Sequence, residues 1–195
     1  MRLVKRSLLA IIGLFAAALL GLRLLYGGGA AYPGVATAPL LPETALTRLV
    51  SLDYPPGNVA VAPNGRIFFN YHPFAKAERF APATVFELVD GKPVPYPDAA
   101  FQKATQGVFG MTVDQRQRLW FIEPAGLDHK ATRLIAFDIT TGRLALEFWF
   151  PPGEAKFAQD LRVTSDGATV IIADTGLFHF TRPGLILFEI GRAHV

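Results

Sequence analysis

The chain has 195 residues, enough for one domain with a sizeable core, and 51% of them are hydrophobic. It contains no cysteine, which excludes a disulfide framework, a thiol nucleophile and a lipidated cysteine. The formal charge of +3 belongs to the first segment: without Arg2, Lys5, Arg6 and Arg23, 15 basic residues face 16 acidic ones, and no basic patch argues for nucleic acid.

Residues 1–31 open with those basic residues, continue through the apolar run Leu8–Leu22 and end in the small residues Gly27–Ala31. This is the layout of an export signal, with Gly28 and Ala30 as the small residues before a cleavage point. Leu3–Tyr26 is also long enough to stay in a bilayer as an anchor, with Arg23 snorkelling outward. A basic start held inside places the remainder outside the cytoplasm, so the chain reads as periplasmic, membrane-anchored or secreted. Residues 32–52 are rich in Pro, Ala and Thr and read as a linker.

From residue 53 the chain is all-β. In the stretch Gly107–Pro152, Met111–Asp114 and Leu119–Ile122 flank a polar turn, and Arg133–Ile139 and Leu144–Phe150 flank Thr140-Thr141-Gly142. Short β-rich runs separated by such turns predict a four-stranded antiparallel unit. The unit recurs on either side. Val61, Val113 and Val163 lie 52 and 50 residues apart, and Phe86, Phe137 and Phe188 are spaced by 51. A period near 50 residues with about four strands per unit predicts β-propeller blades, here over 53–97, 107–152 and 157–190.

In such a unit the start of the first strand and the end of the second emerge on one face. Starts fall at Asn58, Gly110 and Gln159-Asp160, and ends at Tyr71, Glu123 and Asp174. The connections leaving that face, Pro73–Ala83, Pro124–Thr132 and Thr175–Pro183, are the long ones. Long loops over a rigid sheet are where sites gather. Asn58, Tyr71, Glu123, Gln159, Asp160 and Asp174 are therefore the candidate ligand or metal residues. Asn64, Asp114 and Asp166 lie in tight turns at the opposite end and are expected to be indifferent to a ligand. Glu123, Asp160 and Asp174 are hard oxygen donors suited to a divalent cation such as Ca²⁺. His72, His129, His179 and His194 form no ligand-spaced set, and no nucleophile elbow, phosphate loop or dinucleotide fingerprint occurs. Trp120 and Phe148-Trp149-Phe150 follow strand periodicity and read as packing.

Gly110, Asp114, Arg118-Leu119-Trp120 and Glu123, then Leu134 with Phe137-Asp138, then Asp160, follow in order and spacing the blade patterns of the royal-jelly/yellow protein family, which this chain resembles from Asp53 to Phe188. The resemblance implies an exported propeller of about six blades. It also implies a distant relation to gluconolactonase-like propellers, which hold a divalent metal with carboxylate and amide oxygens at this face. Asn58 and Gln159 would be the amide contributors. Glu123 departs from the pattern, which more often has Asp. The roughly three units present are half the implied number, and the chain is expected to be a fragment. Residues 190–195 match the translation of a sequencing-adapter read, so they are expected to be adapter-derived. Two function classes follow. One binds a small polar ligand, with metal-assisted lactonase-like hydrolysis as its catalytic form. The other is a non-catalytic binding or scaffold propeller.

Overall fold

The computed structural model describes residues 2–27, 43–71, 83–105, 107–125, 131–176 and 181–191. The expected long loops, the small residues after Gly27, the four histidines and the tail from Arg192 lie wholly or largely outside them. The chain divides into two units, 1–47 and 48–195. The first holds helix α1 (Arg2–Tyr26) and a 3-10 turn at Glu43–Ala45. Within α1, Val4–Tyr26 is apolar enough to cross a membrane, with a mean hydropathy of 2.5, and none of it is buried. That composition suits a signal sequence or a membrane anchor.

The second unit is built of antiparallel strands that pair strictly in chain order. The first sheet joins β1 (Pro56–Val61), β2 (Ile67–Tyr71), β3 (Val85–Val89) and β4 (Lys92–Pro95). The second joins β5 (Met111–Val113), β6 (Arg118–Glu123), β7 (Arg133–Asp138) and β8 (Leu144–Trp149). The third holds β9 (Ala158–Val163), β10 (Thr169–Asp174) and β11 (Gly184–Glu189), with β10 in the middle. Each sequence unit is thus one sheet. The two-residue side-chain alternation of each strand gives every sheet two faces, and both faces of the second are apolar. One packs on the first sheet through Met111, Leu119, Phe121, Ile135 and Phe137. The other packs on the third through Trp120, Ile122, Leu134 and Ala136. The leading strands adjoin one another: β1 lies against β5, and β5 and β6 lie against β9.

Between β4 and β5 the chain forms a short helix, α2 (Ala99–Ala104), where the sequence announces no strand. Asp98 caps it, accepting from the Phe101 amide at 2.8 Å. Phe101 is buried between the first two sheets, stacked on Phe121 with ring centres 5.6 Å apart. The Gln102 side chain pins the helix to the first sheet: its Nε2 donates to the carbonyls of Val85 and Tyr96, and its Oε1 accepts from the Thr84 amide. Within the expected linker, Leu52 packs against the cluster of Phe69, Tyr71 and Phe86 on the outer face of the first sheet. Ile190, in the turn after β11, packs against the cluster between the second and third sheets.

Candidate functional site

Strand pairing fixes where the six candidate residues stand. In the second sheet the Phe109 amide donates to the Ile122 carbonyl at 3.0 Å, so the approach to β5 lies beside the end of β6, next to Glu123. In the third, Asp160 is opposite Ala173, and Asp174 is opposite Ala158 across a register shift. In the first, Tyr71 is opposite Pro56. Strand starts and strand ends therefore share one end of each sheet.

Adjacent sheets are joined at that end. The Asn58 amide N–H donates to Asn70 Oδ1 at 2.6 Å, and Asn58 Nδ2 donates to the Phe109 carbonyl. Asn70, fully buried, donates to the carbonyls of Val108 and Phe109. The two asparagines thus clasp the first sheet to the lead-in of β5. Between the second and third sheets the approach is closer still: a Cβ added to Gly110 would stand 2.7 Å from the Asp160 Cα and 2.9 Å from the Gln159 carbonyl oxygen. Asn58, Gln159 and Asp160 are therefore linked through Phe109 and Gly110 in one line of contacts.

The acidic candidates already have partners. Glu123 is buried and ion-paired with Arg133, whose Nε lies 2.9 Å from Oε2. Arg133 also reaches Glu147 at 3.0 Å and lies over the Trp149 ring. Asp160 Oδ1 accepts from the Leu161 amide at 2.8 Å and from Arg162 Nη1 at 3.1 Å. Asp174 accepts from the Gly176 amide at 2.9 Å, closing a local turn. Tyr71 sits in the aromatic cluster on the outer face of the first sheet, edge-on to Phe86 and Tyr54. Burial, followed by the charges of Asp53 and Tyr54, pushes its phenol pKa up. Among the described residues no three His, Asp or Glu side chains cluster as cation ligands would. Arginines thus sit on Glu123 Oε2 and on Asp160 Oδ1, whereas Asp174 meets a backbone amide.

Two residues outside the candidate set carry much of the local order. Asp114, 4% exposed, accepts from the amides of Arg116 and Arg118, from Arg118 Nε at 2.7 Å and from Trp120 Nε1 at 2.9 Å. It holds a turn in which Gln117 takes a φ of +60°, where the other two first hairpins have Gly65 and Gly167. The spacing of Asp114, Arg118 and Trp120 signals this in the sequence. Asn70 is signalled only as a lone amide in the apolar run Ile67–Tyr71. A shallow hollow of about 410 Å³ is lined by Arg48 and residues 50–56, with Ser51, Asp53 and Tyr54 on its wall, and no sequence motif marks it. The chain matches no protein-family model, and no curated protein matches its sequence.

Proposed function

We propose that this chain is an exported β-propeller of the royal-jelly/yellow type whose strand-start end binds a small polar ligand. The observation that carries the reading is the adjacency of the leading strands: β1 lies against β5 and β5 against β9, each at the head of its own sequential sheet. Blades around a common axis have this order. The resemblance in sequence supports the family, and α1 supports export. Metal-assisted hydrolysis is the catalytic form of this reading, and in it Glu123 and Asp160 would exchange their arginine contacts for the ion.

The test is calorimetric titration of the detergent-solubilised chain with a panel of aldonates and polyols, and separately with calcium chloride. Binding of one such ligand is expected, weakened at least tenfold by Asp160→Ala and unchanged by Asp166→Ala. Calcium-dependent lactone hydrolysis abolished by Glu123→Ala would establish the catalytic form. Silence toward the whole panel would leave the scaffold class.

A further inference from the structure

The aromatic run Phe148-Trp149-Phe150 divides between two faces of the second sheet. Phe148 and Phe150 lie against Phe188, with ring centres 4.9 and 6.5 Å from it, in the cluster between the second and third sheets. Trp149 points to the opposite face, as strand alternation requires, and is 53% exposed. The expectation of packing therefore holds for Trp120, which is fully buried, and fails for Trp149. Single exposed apolar residues are ordinary. Trp149 is distinguished by what holds it. Glu123, Arg133 and Trp149 stand opposite one another across β6, β7 and β8. The Arg133 guanidinium carbon lies over the indole, 5.0 Å from its centre. Arg133 Nε donates to Glu123 Oε2 at 2.9 Å, Nη2 donates to the same oxygen, and Nη1 donates to Glu147 Oε1 at 3.0 Å. Glu123 Oε1 accepts in turn from Thr105 Oγ1, at the end of α2, at 3.4 Å. Contacts from Thr105 through Glu123 to Arg133 thus fix the guanidinium plane, and that plane fixes the ring. One face of the indole rests on a held cation, and its exposure belongs to the other face. The Glu147 carboxylate, 37% exposed, lies two residues earlier on the same side of β8.

We propose that Trp149, Arg133 and Glu147 form a binding site for a pyranose sugar with equatorial hydroxyls. The surroundings select a neutral ligand. A cation on the open face of the indole would be repelled by Arg133 beneath it, and an anion would be repelled by Glu147. An equatorially substituted pyranose is neutral, carries its axial C–H bonds on two broad faces and its hydroxyls around the rim. The C–H face is flat and apolar, and it covers the indole as apolar groups cover aromatic rings in a core. Hydroxyls at the rim donate to the Glu147 carboxylate, in bonds strengthened by its charge. A flat aromatic hydrocarbon would cover the ring but has no donor for the carboxylate, and an open-chain polyol has the donors but no flat face. Little order is lost on binding, because the indole is already held in place. The site lies on the outermost strand of its sheet and shares Glu123 alone with the six candidate residues, so it goes beyond the ligand proposed for the strand-start end.

The experiment uses the full chain in a polyoxyethylene detergent, which carries no sugar, with methyl β-D-glucopyranoside as the probe. The chain has two tryptophans and Trp120 is fully buried, so acrylamide quenching of the fluorescence reports Trp149. The glucoside is expected to shield Trp149 in a saturable way. Sorbitol, which has the hydroxyls without the ring, is expected to bind about tenfold more weakly. Saturation-transfer NMR on the glucoside reads binding where the fluorophore is lost. That signal is expected to vanish in Trp149→Ala, to survive in Trp149→Phe and to weaken about tenfold in affinity in Glu147→Gln, which keeps the shape and removes the charge. Leu144→Ala, at a residue equally exposed on the same strand, is expected to leave it unchanged. Absence of saturable shielding, equal shielding by sorbitol, or an undiminished signal in Trp149→Ala or Glu147→Gln overturns the proposal. Loss of the signal in Asp160→Ala would assign the glucoside to the strand-start end and overturns it too.

Discussion

Tyr96 is buried between the first two sheets, against Phe68, and its hydroxyl has no hydrogen-bond partner among the described residues. Burial pushes its pKa up to about 12, from an ordinary 10.0, and the nearby Arg66 only partly opposes this. The folded state therefore keeps a proton that the unfolded chain has lost. Its contribution is present in full below pH 10 and falls away as the pH rises toward 12. Tyr96→Phe is expected to flatten that alkaline decline, with Tyr71 retaining part of it. At pH 7 its urea midpoint should equal or exceed that of the native chain, because no hydrogen bond is lost. A clearly lower midpoint at pH 7 would show that the hydroxyl has a partner. At this scale the sequence was an uneven guide. The carboxylates at strand ends could be located from the strand pattern, but not the arginines that neutralise them: Arg133 meets Glu123 only because β6 and β7 pair in that register. Asp114, read as an indifferent turn residue, ties its turn to Trp120, since the indole of a buried tryptophan needs an acceptor.

At the scale of elements, Gly110 matters for what it lacks. A methyl there would meet backbone of β9, which has no flexible end to move aside. Gly110→Ala should force the second and third sheets apart and cost about 1–3 kcal/mol, the range for overpacking. A lowered urea midpoint would register it. Gly184→Ala is the control, because nothing lies within 4 Å of its added Cβ and the midpoint should hold. An unchanged midpoint in Gly110→Ala would mean that the sheets stand further apart than described. Strands were readable because each repeats the same alternation and turn chemistry, and three copies reinforce one another. Helix α2 was not readable, since six residues are too few to display a 3.6-residue period. Nor were the asparagine clasps, because the Asn70 side chain reaches Val108 across 38 residues of sequence.

At the scale of the whole molecule, the basic start and the apolar helix α1 set the expected topology. A reporter that works only in the cytoplasm, fused after Gly34, should be inactive, and one that works only after export should be active. The reverse pattern would discard the export assignment. Among the described residues, every strand pairs within its own sheet, so the ladders form three separate bodies. What joins them is apolar contact and a few side chains that end on a neighbour's carbonyl. Asn58 and Asn70 reach Phe109 at one end. Arg66 reaches Ile139, and Arg116 reaches Asp166, at the other. Apolar contact has no preferred direction, whereas ladder hydrogen bonds do. The softest deformation of this fold is therefore a shear of one sheet across the next, hinged on those amide and guanidinium clasps, with every ladder left intact.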